Sequence, residues 1–159
     1  MRARLAAEAR SWVGTPYHVG GRAKGAGCDC GSCLYCILVN SGAIDHDEEL
    51  EEFFSHVSAH AWAHWTDEQY LFRMRRHALR LMDRVAFRDA GLEPGNLVLV
   101  AGFGAKFYNH GGIVTEWPKL VHCMVPRVAE TSALWHPVWA HQKIAVFDPV
   151  ARRFADAGR

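Results

Sequence analysis

The sequence predicts an α+β domain with an antiparallel sheet. Segments of helical spacing fill its first half, and short apolar runs bounded by turn residues fill its second. The 159 residues, 50% hydrophobic and 22% charged, have the balance of one soluble globular domain, taken as residues 1–159. No internal repeat, low-complexity tract or linker divides it.

Each element has its own signal. Leu5, Ala9 and Trp12 share one helical face within residues 2–12, and Gly14-Thr15-Pro16 stops that helix. Residues 14–27 hold five glycines and read as a loop. The apolar run from Cys30 to Val39 predicts a buried helix, closed by Asn40-Ser41-Gly42. "IDHDEELEEFF" is an acidic turn entering a helix, capped by Asp45 or Asp47. Residues 59–81 read as mostly helical, restarting at Thr66-Asp67-Glu68, within a helical insert at about 45–90. Leu92 to Asn96 is a turn, and "LVLVAGF" after it reads as a buried strand. "GGIVTEW", "KLVHCMV" and "HQKIAVFDP" supply three more strands, the first two folded into a hairpin at Trp117-Pro118-Lys119.

Composition excludes several classes. A net charge of +1 argues against nucleic-acid binding, although ten histidines make it acid-sensitive. No run approaches the ~20 apolar residues of a membrane span. Glu8 and Arg10 interrupt any signal-peptide core, so synthesis without an export signal and folding in a reducing cytoplasm are expected. An odd set of five cysteines does not suit a disulfide frame there.

Four of those cysteines, Cys28, Cys30, Cys33 and Cys36, crowd the end of the glycine-rich loop and the helix after it. Cys30 stands at the loop-to-helix junction, where unpaired N–H groups and the helix dipole favour a thiolate and can hold an oxyanion. Cys33 and Cys36 fall one and two turns on, as small core residues. Cys28 reads equally as core or as site. A thiol nucleophile needs a base. His110 in "YNHGGIVTEW" is the candidate, and His122 in "KLVHCMV" would orient it from the next strand. The alternative for His122 is a structural strand histidine.

The C-x-C and C-x-x-C spacings of "CDCGSCLYC" also suit a metal or iron–sulfur site, but no second ligand pair follows downstream. His56, His60 and His64 would align on one helix face, yet no carboxylate motif accompanies them. Trp62 and Trp65 beside them suggest packing or a contact surface. No cofactor or metal is expected. Arg73, Arg75, Arg76, Arg80 and Arg84 read as a solvated helix face.

Taken together, "GTPYHVGG" at 14–21, "GCDC" at 27–30, "EPGNLVLV" at 93–100 and "NHGGIV" at 109–114 resemble the motifs of NlpC-type cell-wall peptidases. That family has a papain-like fold and cuts peptidoglycan stem peptides. The resemblance spans roughly residues 5–125 and implies Cys30 as nucleophile, His110 as base and His122 as third residue. Tyr17 matches a tyrosine near the nucleophile that assists with oxyanion or substrate, its other reading being an aromatic packed beside Pro16. The implied bond is γ-D-glutamyl to diaminopimelate, with amidase or acyltransferase chemistry as variants of the fold. Three departures stand out. Gly31-Ser32 replaces the usual Ser-Gly, the preceding loop is one residue longer, and Asn96 replaces an acid. The first two bear on the shape of the cleft. The insert and the hairpin are similar to those of phage tail-assembly and gene-transfer-agent peptidases. This implies tail proteins as partners, a virion location and, as the rival reading, a structural tail-tip component with weak or lost activity.

Overall fold

The computed structural model of the protein describes residues 1–59, 80–81, 91–102, 105–139 and 144–150. Helix α1 (Arg2–Ser11) turns Leu5, Ala6 and Ala9 inward, and buried Trp12 follows it directly. The glycine-rich loop contains a minimal hairpin, β1 (Arg22–Ala23) with β2 (Gly27–Cys28), which its composition conceals. Helix α2 (Cys30–Asn40) buries Cys33, Leu34, Ile37 and Leu38, a stripe at helical spacing, and gives way to Gly42 at φ +69. Helix α3 (Glu48–Ala59) takes its cap from Asp47, whose Oδ1 accepts from Leu50 N at 2.8 Å. The Tyr35 hydroxyl donates to Asp47 O at 3.1 Å and so ties α3 to α2.

The remaining strands are β3 (Arg80–Leu81), β4 (Leu97–Val100), β5 (His110–Glu116), β6 (Lys119–Met124), β7 (Arg127–Ser132) and β8 (Ile144–Asp148). They form one sheet in the order β3-β8-β4-β5-β6-β7, antiparallel at every pairing. One sequence expectation needs correction. Arg80-Leu81 pairs with Phe147 and Asp148, so tertiary pairing overrides the helical pattern that was extended to Leu81. Strand β7 has no counterpart among the sequence expectations, because "RVAETS" is short and polar. The predicted helix restart at Thr66-Asp67-Glu68, and most of the insert, lie outside the described residues.

Both faces of the sheet are covered. Leu97, Leu99, Ile113, Val121 and Phe147 meet Trp12, Leu34 and Leu38 from the helices. Val98, Val100, Val114 and Leu120 meet Leu92 and Trp139 on the other face. Hence the continuous apolar run of β4, which would be costly on a one-sided sheet.

Helix α2 packs tightly on the sheet at Gly111. A Cβ there would lie 2.6 Å from Leu34 Cδ1 and 2.9 Å from Leu99 Cδ2, well inside contact distance. Gly111→Ala is therefore expected to cost ~1–3 kcal/mol by overpacking. Leu34→Ala should relieve part of it, so urea unfolding of the four-protein cycle should give a clear coupling. Simple additivity would show that α2 does not rest on Gly111.

Candidate active site

The start of α2 is built by a reciprocal cap. Asp29 is the N-cap residue, and its Oδ1 accepts from Ser32 N at 2.9 Å, while Asp29 N donates to Ser32 Oγ at 3.1 Å. The other carboxylate oxygen accepts from Gly20 N at 2.7 Å, and the Ser32 hydroxyl donates to Gly21 O. Asp29 and Ser32 thus clamp the glycine-rich loop onto the helix. This gives the Gly31-Ser32 order a structural role: the hydroxyl stands at the third helical position, where a cap needs it.

The cap leaves Cys30 at the first helical position, half-buried, with its sulfur against the N–H groups of Gly31 and of Cys30 itself. Burial and the Asp29 carboxylate outweigh those two donors, and the thiol is pushed up to about 12. The pull of the helix terminus on the sulfur is thereby outweighed. At neutral pH Cys30 rests as a thiol and needs a base.

His110 and His122 meet across the hairpin of β5 and β6. Val114 pairs with Leu120, so His110, four residues before Val114, and His122, two after Leu120, lie on one face of the sheet. Their rings join through Nε2 of His110 and Nδ1 of His122 at 2.9 Å, and both are buried. Trp139, fully buried, lies 5.4 Å from one ring and 5.3 Å from the other. Burial, reinforced by His122 and His136, holds His110 well below the usual imidazole range. Burial and His136 lower His122 to about 4. Both rings are therefore neutral at pH 7.

The contact at Gly111 joins the helix of Cys30 to the strand of His110, whose own ring packs beside Trp139. Leu34 shares a helix face with Cys30, one turn away, and presses on Gly111, the neighbour of His110. His122 occupies Nε2 of His110, so Nδ1 is the nitrogen left to serve a thiol. Tyr17 is held beside the same helix start. Its N–H donates to Pro126 O at 2.8 Å, and it bridges to Cys28. Burial, then the Cys30 sulfur and Asp29 nearby, push its phenol up to about 12, so it is a hydrogen-bond donor at working pH. The pairing of residues 14–17 with β7 completes this wall: Gly14 N donates to Val128 O and Val128 N to Thr15 O.

Cys28 and Cys33 are buried, and Cys36 is half-buried with its sulfur 3.8 Å from Arg22 O. Cys28 Sγ lies 3.7 Å from Cys123 Sγ, deep in the core. Contact with Cys123 and Cys28, together with burial, raises the Cys33 thiol well above its ordinary range. Among the described residues, no group of three or more His, Cys, Asp or Glu could hold a metal ion. The histidine face at 56, 60 and 64 lies outside what is described of side chains. No helix among the described residues is long and apolar enough to cross a membrane.

Three neighbours of the histidine pair escaped the sequence reading. Trp139 and His136, whose ring lies 5.1 Å from His122, follow β7 in a stretch without periodic signal. Thr131 on β7 faces Nε2 of His122 at 3.1 Å. Only recognition of β7 as a strand would have shown it.

The lowered His122 sets a pH dependence of stability. An unfolded chain protonates this imidazole near 6.5, whereas the folded protein refuses the proton down to about 4. Stability should therefore fall as pH drops from about 6.5 to about 4, with no contribution from this ring above that window. Between those limits His122→Asn should lose less stability than the native protein in urea unfolding. Equal losses in the two proteins would contradict the buried neutral pair.

No family model matches the chain, and no curated protein matches it. Among solved structures it is similar to the NlpC/p60 domain of the peptidoglycan hydrolase SagA, with a TM-score of 0.56 at 17% identity, covering 92% of this chain and 97% of that one. NlpC2 from Trichomonas vaginalis gives 0.60 at 11% identity, and NlpC1 from the same organism 0.59 at 12%. These two matches cover 92% of this chain but only 44% and 42% of theirs, so it spans less than half the length of either protein. Helices packed on an antiparallel sheet thus have solved counterparts. The chain has the α+β, papain-like fold of NlpC/p60 domains.

Proposed function

We propose that this protein is a cysteine hydrolase of peptidoglycan, an endopeptidase acting on stem peptides. The observation that carries this reading is the His110–His122 hydrogen bond, on the strand that receives the helix of Cys30. Nδ1 of His110 takes the proton from Cys30 as the sulfur attacks a peptide carbonyl. The N–H of Cys30 and the Tyr17 hydroxyl hold the oxyanion of the tetrahedral intermediate. As that intermediate collapses, the C–N bond breaks and His110 returns the proton to the leaving amine. Water, deprotonated by His110, then hydrolyses the thioester and frees Cys30. His122 keeps the ring of His110 in place throughout.

Peptidoglycan is supported by the name of the SagA domain and by the motifs around Cys30 and His110. The γ-D-glutamyl–diaminopimelate bond rests on the sequence resemblance, as does assembly into a phage tail. Digestion of purified peptidoglycan, with fragments identified by mass, tests the substrate and the bond together.

Cys30→Ala is expected to abolish fragment release, whereas Cys33→Ala should mainly lower stability. His110→Ala should lose about 10²–10⁴-fold in rate and His122→Ala less, since water can partly replace an orienting group. An iodoacetamide footprint on the folded protein that marks Cys33 and spares Cys30 would overturn the assignment.

A further inference from the structure

Proton counting across the histidine pair assigns a role to a third side chain. A neutral imidazole carries one N–H and one bare nitrogen. For Nδ1 of His110 to accept a proton, the hydrogen of that ring must sit on Nε2, which faces Nδ1 of His122 at 2.9 Å. Nδ1 of His122 must then be bare, so the hydrogen of His122 sits on its Nε2. That nitrogen faces the Thr131 hydroxyl oxygen at 3.1 Å.

The requirement tightens once the proton has moved. His110 as imidazolium donates from both nitrogens, so His122 has to accept at Nδ1 and donate at Nε2. A buried N–H without an acceptor is costly, the more so in a chain of hydrogen bonds polarised by a charge. Strand register brings the acceptor there. His122 pairs with Ala129, and Thr131 lies two residues further along β7, on the same face and diagonal to His122.

We propose that Thr131 is a positioning residue: its hydroxyl oxygen accepts from Nε2–H of His122 and holds both imidazoles in the tautomers that leave Nδ1 of His110 basic. This rests on the reading of Cys30 and His110 as nucleophile and base. Thr131 touches neither substrate nor thiol and acts through two rings in series.

The test is ¹⁵N NMR of histidine-labelled protein, which reports tautomers without any substrate. The native protein should show His122 protonated on Nε2 and bare on Nδ1. Thr131→Val keeps the branched shape a strand accommodates and removes the acceptor. It should give mixed tautomers for His122 and slow iodoacetamide alkylation of Cys30 about tenfold, the effect of one such hydrogen bond. Thr131→Ser should restore both. A native spectrum with the hydrogen on Nδ1 of His122 would overturn the proposal and needs no variant. So would a Thr131→Val spectrum identical to the native one. Should the tautomers and their shift appear while peptidoglycan stays intact, Thr131 keeps its role and the substrate reading falls.

Discussion

Leu34 packs on the bare backbone of Gly111, and that contact sets how near the start of α2 lies to the start of β5. One side carries Cys30, a turn before Leu34. The other carries His110, adjacent to Gly111. Neither chemical group touches the contact. A methyl at that position would open the space between helix and sheet. Interiors are packed densely enough that such a shift is transmitted rather than absorbed.

The polar groups here are held in electrically quiet forms. Burial keeps the thiol protonated and both imidazoles neutral, against the pull of two N–H donors on the sulfur. A resting site of neutral partners avoids the desolvation cost of a buried ion pair. In the proposed reaction, charge develops only when a carbonyl is present to receive the sulfur. The Tyr17 hydroxyl and the helix N–H groups are the donors that would meet that charge.

Legibility in the sequence followed the strength of local signals. The helix start at Cys30 was readable because loop chemistry and an apolar helix meet there, and α1, α2 and α3 because their signals are local. His110 and His122 were readable as a pair because a short turn fixes their register. Thr131, His136 and Trp139 depend on tertiary pairing of segments that carry no periodic signal. Strand β7 is the clearest instance: its sequence alternates weakly, and its place comes from Val121 and His122 beside it. Ser32 was read as a departure in the cleft, whereas its hydroxyl is engaged in capping.

The antiparallel contact between residues 14–17 and β7 has a consequence for the order of events in the life of the chain. Gly14 and Val128 are bonded although most of the chain lies between them. Such non-local closure is slow relative to helix formation, since loop entropy is lost before the contact forms. During synthesis the segment bearing Cys30 emerges well before the histidine hairpin and the strand that seals Tyr17 into place. On the proposed reading, a nascent chain carries a thiol with no partner to activate it. Reactivity then arrives with completion of the tertiary structure, and the chain is inert while it is being made.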